Sequence, residues 1–236
     1  MTLYEATFER HSVRAYQDKP LSEEVVKELA EMIDEINSTT GMHIQLVTNE
    51  PTAFKSPMAR YGKFSNVSNY IVMVAPKKGI WAPEAVGYYG ESLVLTAQTM
   101  GVNSCWVGLT YRLKPGIVKV EADEKVHCII ALGYGVDQGK QHKSKDPLEV
   151  SNICGRTPEW FRMGVECALN APTAVNQQKF FFTLLTDNET VIAKPLSTLI
   201  GYKFVDLGIA KLHFELGVEE AERQCGHKLL FKWIED

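Results

Sequence analysis

The chain's 236 residues are 45% hydrophobic and 23% charged, a balance that describes a folded protein with enough apolar surface for a core and excludes a disordered chain. A formal net charge of −4 gives no broad positive field, so neither nucleic acid nor an anionic membrane is an expected partner, and any phosphate must be held by a local cluster of donors. No stretch offers the roughly 18 uninterrupted apolar residues of a membrane span, and the opening MTLYEATFERHSVRAY lacks the apolar run of a signal peptide, which makes a cytoplasmic protein the expectation. The five cysteines, Cys105, Cys128, Cys154, Cys167 and Cys225, are odd in number and scattered, as reduced thiols are. Cys225 and His227 lie two apart, but no second ligand pair follows at zinc-like spacing, so no metal is expected.

The length allows one large domain or two modest ones. From Ser22 to Ile36, Val25, Val26, Leu29, Met32, Ile33 and Ile36 recur at helical spacing behind a Ser22 N-cap. Residues 44–47 and 70–75 (YIVMVA) are short β-branched runs that read as buried strands. Residues 83–100 predict a long central helix ended by Gly101, and residues 126–132 (VHCIIAL) a further strand. The polar, glycine-punctuated GYGVDQGKQHKSKD then predicts a boundary. Beyond it the pattern resumes, with a helix over 158–169, a strand over 180–185 and a helix over 206–216 stopping at Gly217.

EMIDEIN followed by IQLVTN is answered by VECALN followed by FFFTLLTD, and ESLVLTAQTMGV by AKLHFELGV. This order suggests an internal duplication, with residues 1–150 and 151–236 as unequal halves; two coincidences within any α/β chain explain the pattern equally well.

Three segments carry groups suited to chemistry. Arg10, His11, Ser12, Val13 and Arg14 pack two guanidinium forks, an imidazole and a hydroxyl into five residues, donors that suit a phosphate monoester, although paired arginines in a turn also commonly just face water. The segment 171–178 (APTAVNQQ) offers Thr173, Asn176 and Gln178 as groups able to read the edge of a planar ring, or simply to cap the preceding helix. Asn103, Ser104, Cys105, Trp106, Val107 and Gly108 set a tryptophan beside small residues, which fits a loop laid against a ring or a core anchor.

Together RHSVRAY, GVNSCWVG before ALGYG, and APTAVNQQ before an aromatic strand resemble the FMN-dependent nitroreductase family, over most of the chain. The resemblance implies an α+β fold, a mixed and mostly antiparallel sheet flanked by helices, with a pseudo-twofold duplication. It implies that Arg10, His11, Ser12 and Arg14 hold the FMN phosphate together with a basic residue, Lys143 or Lys145, and that Cys105, Trp106, Val107 and Gly108 lie against the flavin. Family members normally carry the proline-containing loop after the first long helix, where this chain has NSTTGMHIQLV. The good copy stands in the second half. In the family's usual homodimer that loop comes from the partner, so the chain resembles a branch built as a fused, single-chain pseudo-dimer, whose second half supplies Pro172, Thr173, Ala174, Asn176 and Gln178.

Where the second site's clamp should stand the chain has CGRTPEWF, and Arg156 and Thr157 are poor substitutes. One FMN per chain is therefore implied. The resemblance further implies NAD(P)H as co-substrate and ping-pong, two-electron reduction of a small-molecule acceptor such as a nitroaromatic, quinone or enone. No G-x-G-x-x-G follows a strand, so the nicotinamide cofactor would dock transiently, and residues 55–69 are the expected cover over the acceptor. A flavin-storing or flavin-sensing protein is the alternative. A fused pseudo-dimer needs no partner to complete its site, so both monomer and homodimer remain compatible with it.

Overall fold

The structure is a computed structural model that describes residues 1–234. Seven helices and seven strands follow one another as α1 (Leu3–Glu9), α2 (Glu23–Thr40), β1 (Gln45–Val47), α3 (Pro57–Tyr61), β2 (Asn69–Pro76), α4 (Trp81–Thr99), β3 (Asn103–Val107), β4 (Glu124–Gly133), α5 (Pro147–Val150), α6 (Glu159–Ala168), β5 (Phe180–Leu184), β6 (Thr190–Pro195), α7 (Lys203–Cys225) and β7 (Lys232–Trp233), among the described residues. The first sheet runs β1-β2-β4-β3 and is antiparallel throughout; the second runs β5-β6-β7, with β5 antiparallel and β7 parallel to β6. The fold is thus α+β, a mixed and mostly antiparallel arrangement flanked by helices. No described helix is long and apolar enough to cross a membrane.

The central strands explain why their sequences are apolar on every residue. Along β2, Ile71, Met73 and Ala75 face one core and Tyr70, Val72 and Val74 the other, because successive strand side chains point to opposite faces. β4 alternates in the same way, with Cys128, Ile130 and Leu132 on one side and Ile129 and Ala131 on the other. A bulge between Met73 and Val74 leaves His127 out of the pairing register. The larger core takes in α2, α4, α6, α7 and strands of both sheets.

α2 starts where expected, with the Ser22 hydroxyl accepting from the Val25 N–H at 3.3 Å, and runs to Gly41, whose φ of +70° provides the left-handed cap. α7 does not stop at Gly217. It continues to Gly226, at φ +73°, because Gly217 is a packing notch: a Cβ there would lie 2.5 Å from the Met163 carbonyl oxygen of α6. The other side of α7 meets α4 through a reciprocal pair. A Cβ on Gly87 would lie 2.0 Å from the Val205 oxygen, and one on Gly208 would lie 1.9 Å from the Glu84 oxygen. Buried between two helices in this way, α7 is apolar on most sides and shows no single amphipathic stripe.

Candidate functional site

Residues 10–16 leave the C-terminus of α1 extended rather than as a free turn. The Val13 N–H donates to the Ser104 carbonyl at 3.0 Å, and Tyr16 pairs with Gly135. In this segment Val13 and Tyr16 are buried in the core, each 1% exposed, while Ser12 and Arg14 turn out of it. There they line a cavity of about 440 Å³, a size typical of small-molecule sites.

The segment around Trp106 forms strand β3, not a loop, because Asn103–Val107 pairs with Ile129–Gly133 of β4. Trp106, Val107 and Gly108, at the end of that strand, form a second wall of the same cavity. Gly90 leaves room for the indole, since a Cβ there would lie 2.3 Å from Trp106 Cη2. The third wall comes from the other part of the chain: Pro172, Thr173 and Ala174, with Tyr202, Asp206 and Ile209 at the foot of α7.

Tyr61, Gly62 and Phe64 of the expected cover also line the cavity, whereas none of the other residues expected to hold the flavin does. Cys105 is 1% exposed and packs in the core behind the strand, where burial raises its thiol pKa. Asn176 and Gln178 turn their amides away from the cavity, both donating to the Lys143 carbonyl, at 2.8 and 2.9 Å. Lys145 donates its ammonium to the Gln178 carbonyl at 2.8 Å, and burial lowers its pKa. These bonds weld residues 143–145 to the 173–178 loop, which holds three non-glycine residues at positive φ: Val175 at 48°, Asn176 at 56° and Gln178 at 44°.

Arg10 is 3% exposed and lies deeper than its neighbours. Its Nε is 3.6 Å from Glu91 Oε1, too far for a hydrogen bond, and it has no hydrogen-bond partner among the described residues. Glu91, itself fully buried, accepts from Trp106 Nε1 at 2.7 Å, and the His213 ring lies between it and the Cys167 carbonyl, with Nε2 2.9 Å from Glu91 Oε1 and Nδ1 3.2 Å from the carbonyl oxygen. His142 stands close by. Burial, and then the charges of Arg10, His11 and His213, hold its pKa below the ordinary histidine range.

Sequence reasoning missed Tyr202, Asp206 and Gln177. Tyr202 caps α7 at φ +74° and donates its hydroxyl to the Gly108 carbonyl at 2.8 Å, bringing the two walls together. Asp206 is 2% exposed and takes the Ala174 N–H at 3.0 Å and the Gln177 amide at 2.7 Å. A carboxylate in the first turn of a helix is ordinary in sequence, and only its burial, which raises its pKa to about 6, sets it apart.

A family profile described as "Putative TM nitroreductase" matches residues 2–218. Among solved structures, a "putative nitroreductase" of Thermotoga maritima MSB8 superposes with a TM-score of 0.68 at 23% identity, over 94% of this chain and 86% of that one. A "putative nitroreductase in complex with FMN" from Desulfovibrio desulfuricans gives a TM-score of 0.47 at 18% identity, over 63% and 94% of the two chains. A nitroreductase with bound FMN from Bacteroides fragilis NCTC 9343 gives 0.45 at 22%, over 67% and 97%. No curated protein matches. With a single profile covering all but the first residue and the last 18, and with the fold of the Thermotoga protein, this chain belongs to the nitroreductase family that the profile describes.

Proposed function

We propose that the chain is an FMN-dependent oxidoreductase that uses NADH or NADPH to reduce small acceptors such as nitroaromatics, quinones or enones. One observation carries the reading: a cavity of about 440 Å³ walled by the residues 12–14 segment, the end of β3 and the residues 172–174 loop together. FMN fits the donor set. Its phosphate would take Ser12 and Arg14 on the cavity wall, with His11 and Arg10 next to them in the chain, the buried Arg10 Nε having no hydrogen-bond partner among the described residues. Its ring would meet Trp106, Val107, Gly108, Pro172, Thr173 and Ala174. Because the Lys145 ammonium is taken by the Gln178 carbonyl, Lys143 is the basic residue we assign to the phosphate.

When bound, FMN supplies the hydride chemistry, and the chain supplies placement and electrostatics. Arg14 brings positive charge to the cavity wall, where it favours an anionic ligand. Tyr202, hydrogen-bonded to Gly108, covers that edge and narrows access for water. The two-halves reading gains support from the reciprocal Gly87 and Gly208 contacts between α4 and α7. A pseudo-twofold axis through that crossing would make residues 1–150 and 151–236 unequal halves sharing one complete site. The five free cysteines suit the cytoplasm.

The test is the visible spectrum of the purified protein, with released flavin identified and counted. About one FMN per chain, bleached by NADH or NADPH and restored by an acceptor, is the expected result. Replacing Arg10 and Arg14 by alanine should abolish flavin retention. A colourless protein that does not bind added FMN sinks the reading, and two FMN per chain sinks the single-site form of it.

A further inference from the structure

We propose that Asp206 is a positioning residue for the flavin site: its carboxylate latches the 173–177 loop and, through Gln177, the 198–202 segment, so that both face the cavity. The inference rests on the flavin reading for its purpose and on the geometry for the latch itself. Asp206 is 2% exposed and lines the cavity, yet it has no cationic partner among the described residues. An unpaired buried carboxylate is costly and is retained only where its acceptor oxygens are used.

Both oxygens are used. Oδ1 takes the Ala174 N–H at 3.0 Å, and Oδ2 takes the Gln177 amide at 2.7 Å. The Gln177 oxygen in turn accepts from the Thr198 hydroxyl at 2.6 Å, and that hydroxyl accepts from the Ile200 N–H at 3.1 Å. Tyr202 closes the chain onto Gly108. One carboxylate therefore fixes a loop with three strained residues and the segment leading into the tyrosine cover. With both oxygens accepting, Asp206 acts as an anchor and not as a proton donor.

Asparagine at this position keeps the acceptor for Ala174 but presents N–H groups to the Gln177 amide, so Gln177 must turn its amide over and meet the Thr198 hydroxyl with an N–H, and the latch then holds only through neutral bonds weaker than those to a carboxylate. Asp206→Asn also removes a buried charge. Stability and site organisation should consequently move in opposite directions. A purely structural carboxylate would lose both together.

The experiment compares wild type, Asp206→Asn and Gln177→Leu, each freed of flavin, by thermal unfolding, amide exchange of peptides covering residues 172–178, and FMN titration. Gln177→Leu cuts the same bond without touching α7 and so serves if Asp206→Asn fails to fold. At pH 7.5 the expected results are a melting temperature several degrees higher for Asp206→Asn, faster exchange over 172–178 in both variants, and FMN binding at least tenfold weaker in both. Lowering the pH to 5 should weaken FMN binding more in wild type than in Asp206→Asn.

The second ionisation of the FMN phosphate, near pH 6, acts on both proteins and cancels in that difference. The other titratable and charged groups around Asp206 are Cys128 of β4, Tyr202, Arg14 and Tyr61 on the cavity wall, and the Glu84–Lys211 pair where α4 meets α7; all are unchanged between the two. Unchanged exchange in both variants overturns the latch whether or not flavin binds. Faster exchange with unchanged FMN affinity overturns the positioning role. Wild type that binds no FMN defeats the flavin reading, and exchange then decides the latch alone.

Discussion

Removing the Glu91 side chain tests the buried cluster that joins Arg10 to Trp106 of the cavity wall and to His213 of α7. In Glu91→Ala three groups lose their partner at once: the Arg10 guanidinium, 3% exposed, and the fully buried His213 ring and the Trp106 indole N–H, now 3.6, 2.9 and 2.7 Å from its oxygens. Breaking a buried ion pair from one side costs about 3 to 5 kcal/mol. An orphaned buried donor costs about 1 to 3 kcal/mol. Because these penalties overlap, we expect a loss of about 4 kcal/mol, a large share of the roughly 5 to 15 kcal/mol that stabilise a typical domain.

Equilibrium urea unfolding followed by tryptophan fluorescence measures it. With a slope of about 2 kcal/mol per M, the midpoint should fall by about 2 M. The double change Arg10→Met with Glu91→Met should be at least about 1 kcal/mol more stable than the sum of the single changes, since it removes the orphaned charge as well. A loss below about 1 kcal/mol in Glu91→Ala would refute the reasoning, because it would mean the cluster is solvated or able to rearrange freely.

Three further outcomes follow from named contacts. Gly208→Ala must push α4 from α7, because the new Cβ would lie 1.9 Å from the Glu84 oxygen, whereas at Gly101, at φ +76°, a Cβ meets nothing within 4 Å; thermal unfolding should show a loss above about 3 kcal/mol for the first and about 1 kcal/mol for the second. Tyr202→Phe removes only the hydroxyl bond to Gly108 and should weaken FMN binding by less than tenfold, while Gly108→Ala, whose Cβ would lie 2.6 Å from the tyrosine ring, should weaken it more. Burial raises Asp206 from 3.8 to about 6, so the folded apoprotein binds the proton more tightly than the unfolded chain does. This group's contribution to stability therefore falls as pH rises from about 4 to 6, by up to about 3 kcal/mol. Unfolding of apoprotein at pH 4, 5 and 7 should show Asp206→Asn gaining on wild type across that range and holding its advantage above it; a gain that shrinks as pH rises would contradict the assignment.

Sequence periodicity located α2, β2, α4 and β4 because each carries one dominant physical signal: an amphipathic stripe behind a serine cap, a continuous apolar run, or a glycine stop. It also set Arg10–Arg14, Trp106–Gly108 and Pro172–Ala174 apart as chemically unusual stretches. It misjudged elements whose residues serve two purposes. Gly217 has the chemistry of a helix stop, but the approach of α6 makes it a notch within α7, and Asn103–Val107 reads as a loop until β4 pairs with it.

The sequence alone determined the types and order of α2, β2, α4 and β4, the family resemblance and the donors able to hold a phosphate, since all of these depend on local spacing and side-chain chemistry. Only the tertiary structure decided which of those donors share a cavity. Arg10 is drawn inward to Glu91, the amides of Asn176 and Gln178 are spent on the Lys143 carbonyl, and Asp206 and Tyr202 arrive on α7 from more than 90 residues along the chain beyond the strand they face. The physical reason is that a buried polar group takes whichever partner packing brings within about 3 Å, and that choice depends on helices and strands far apart in sequence.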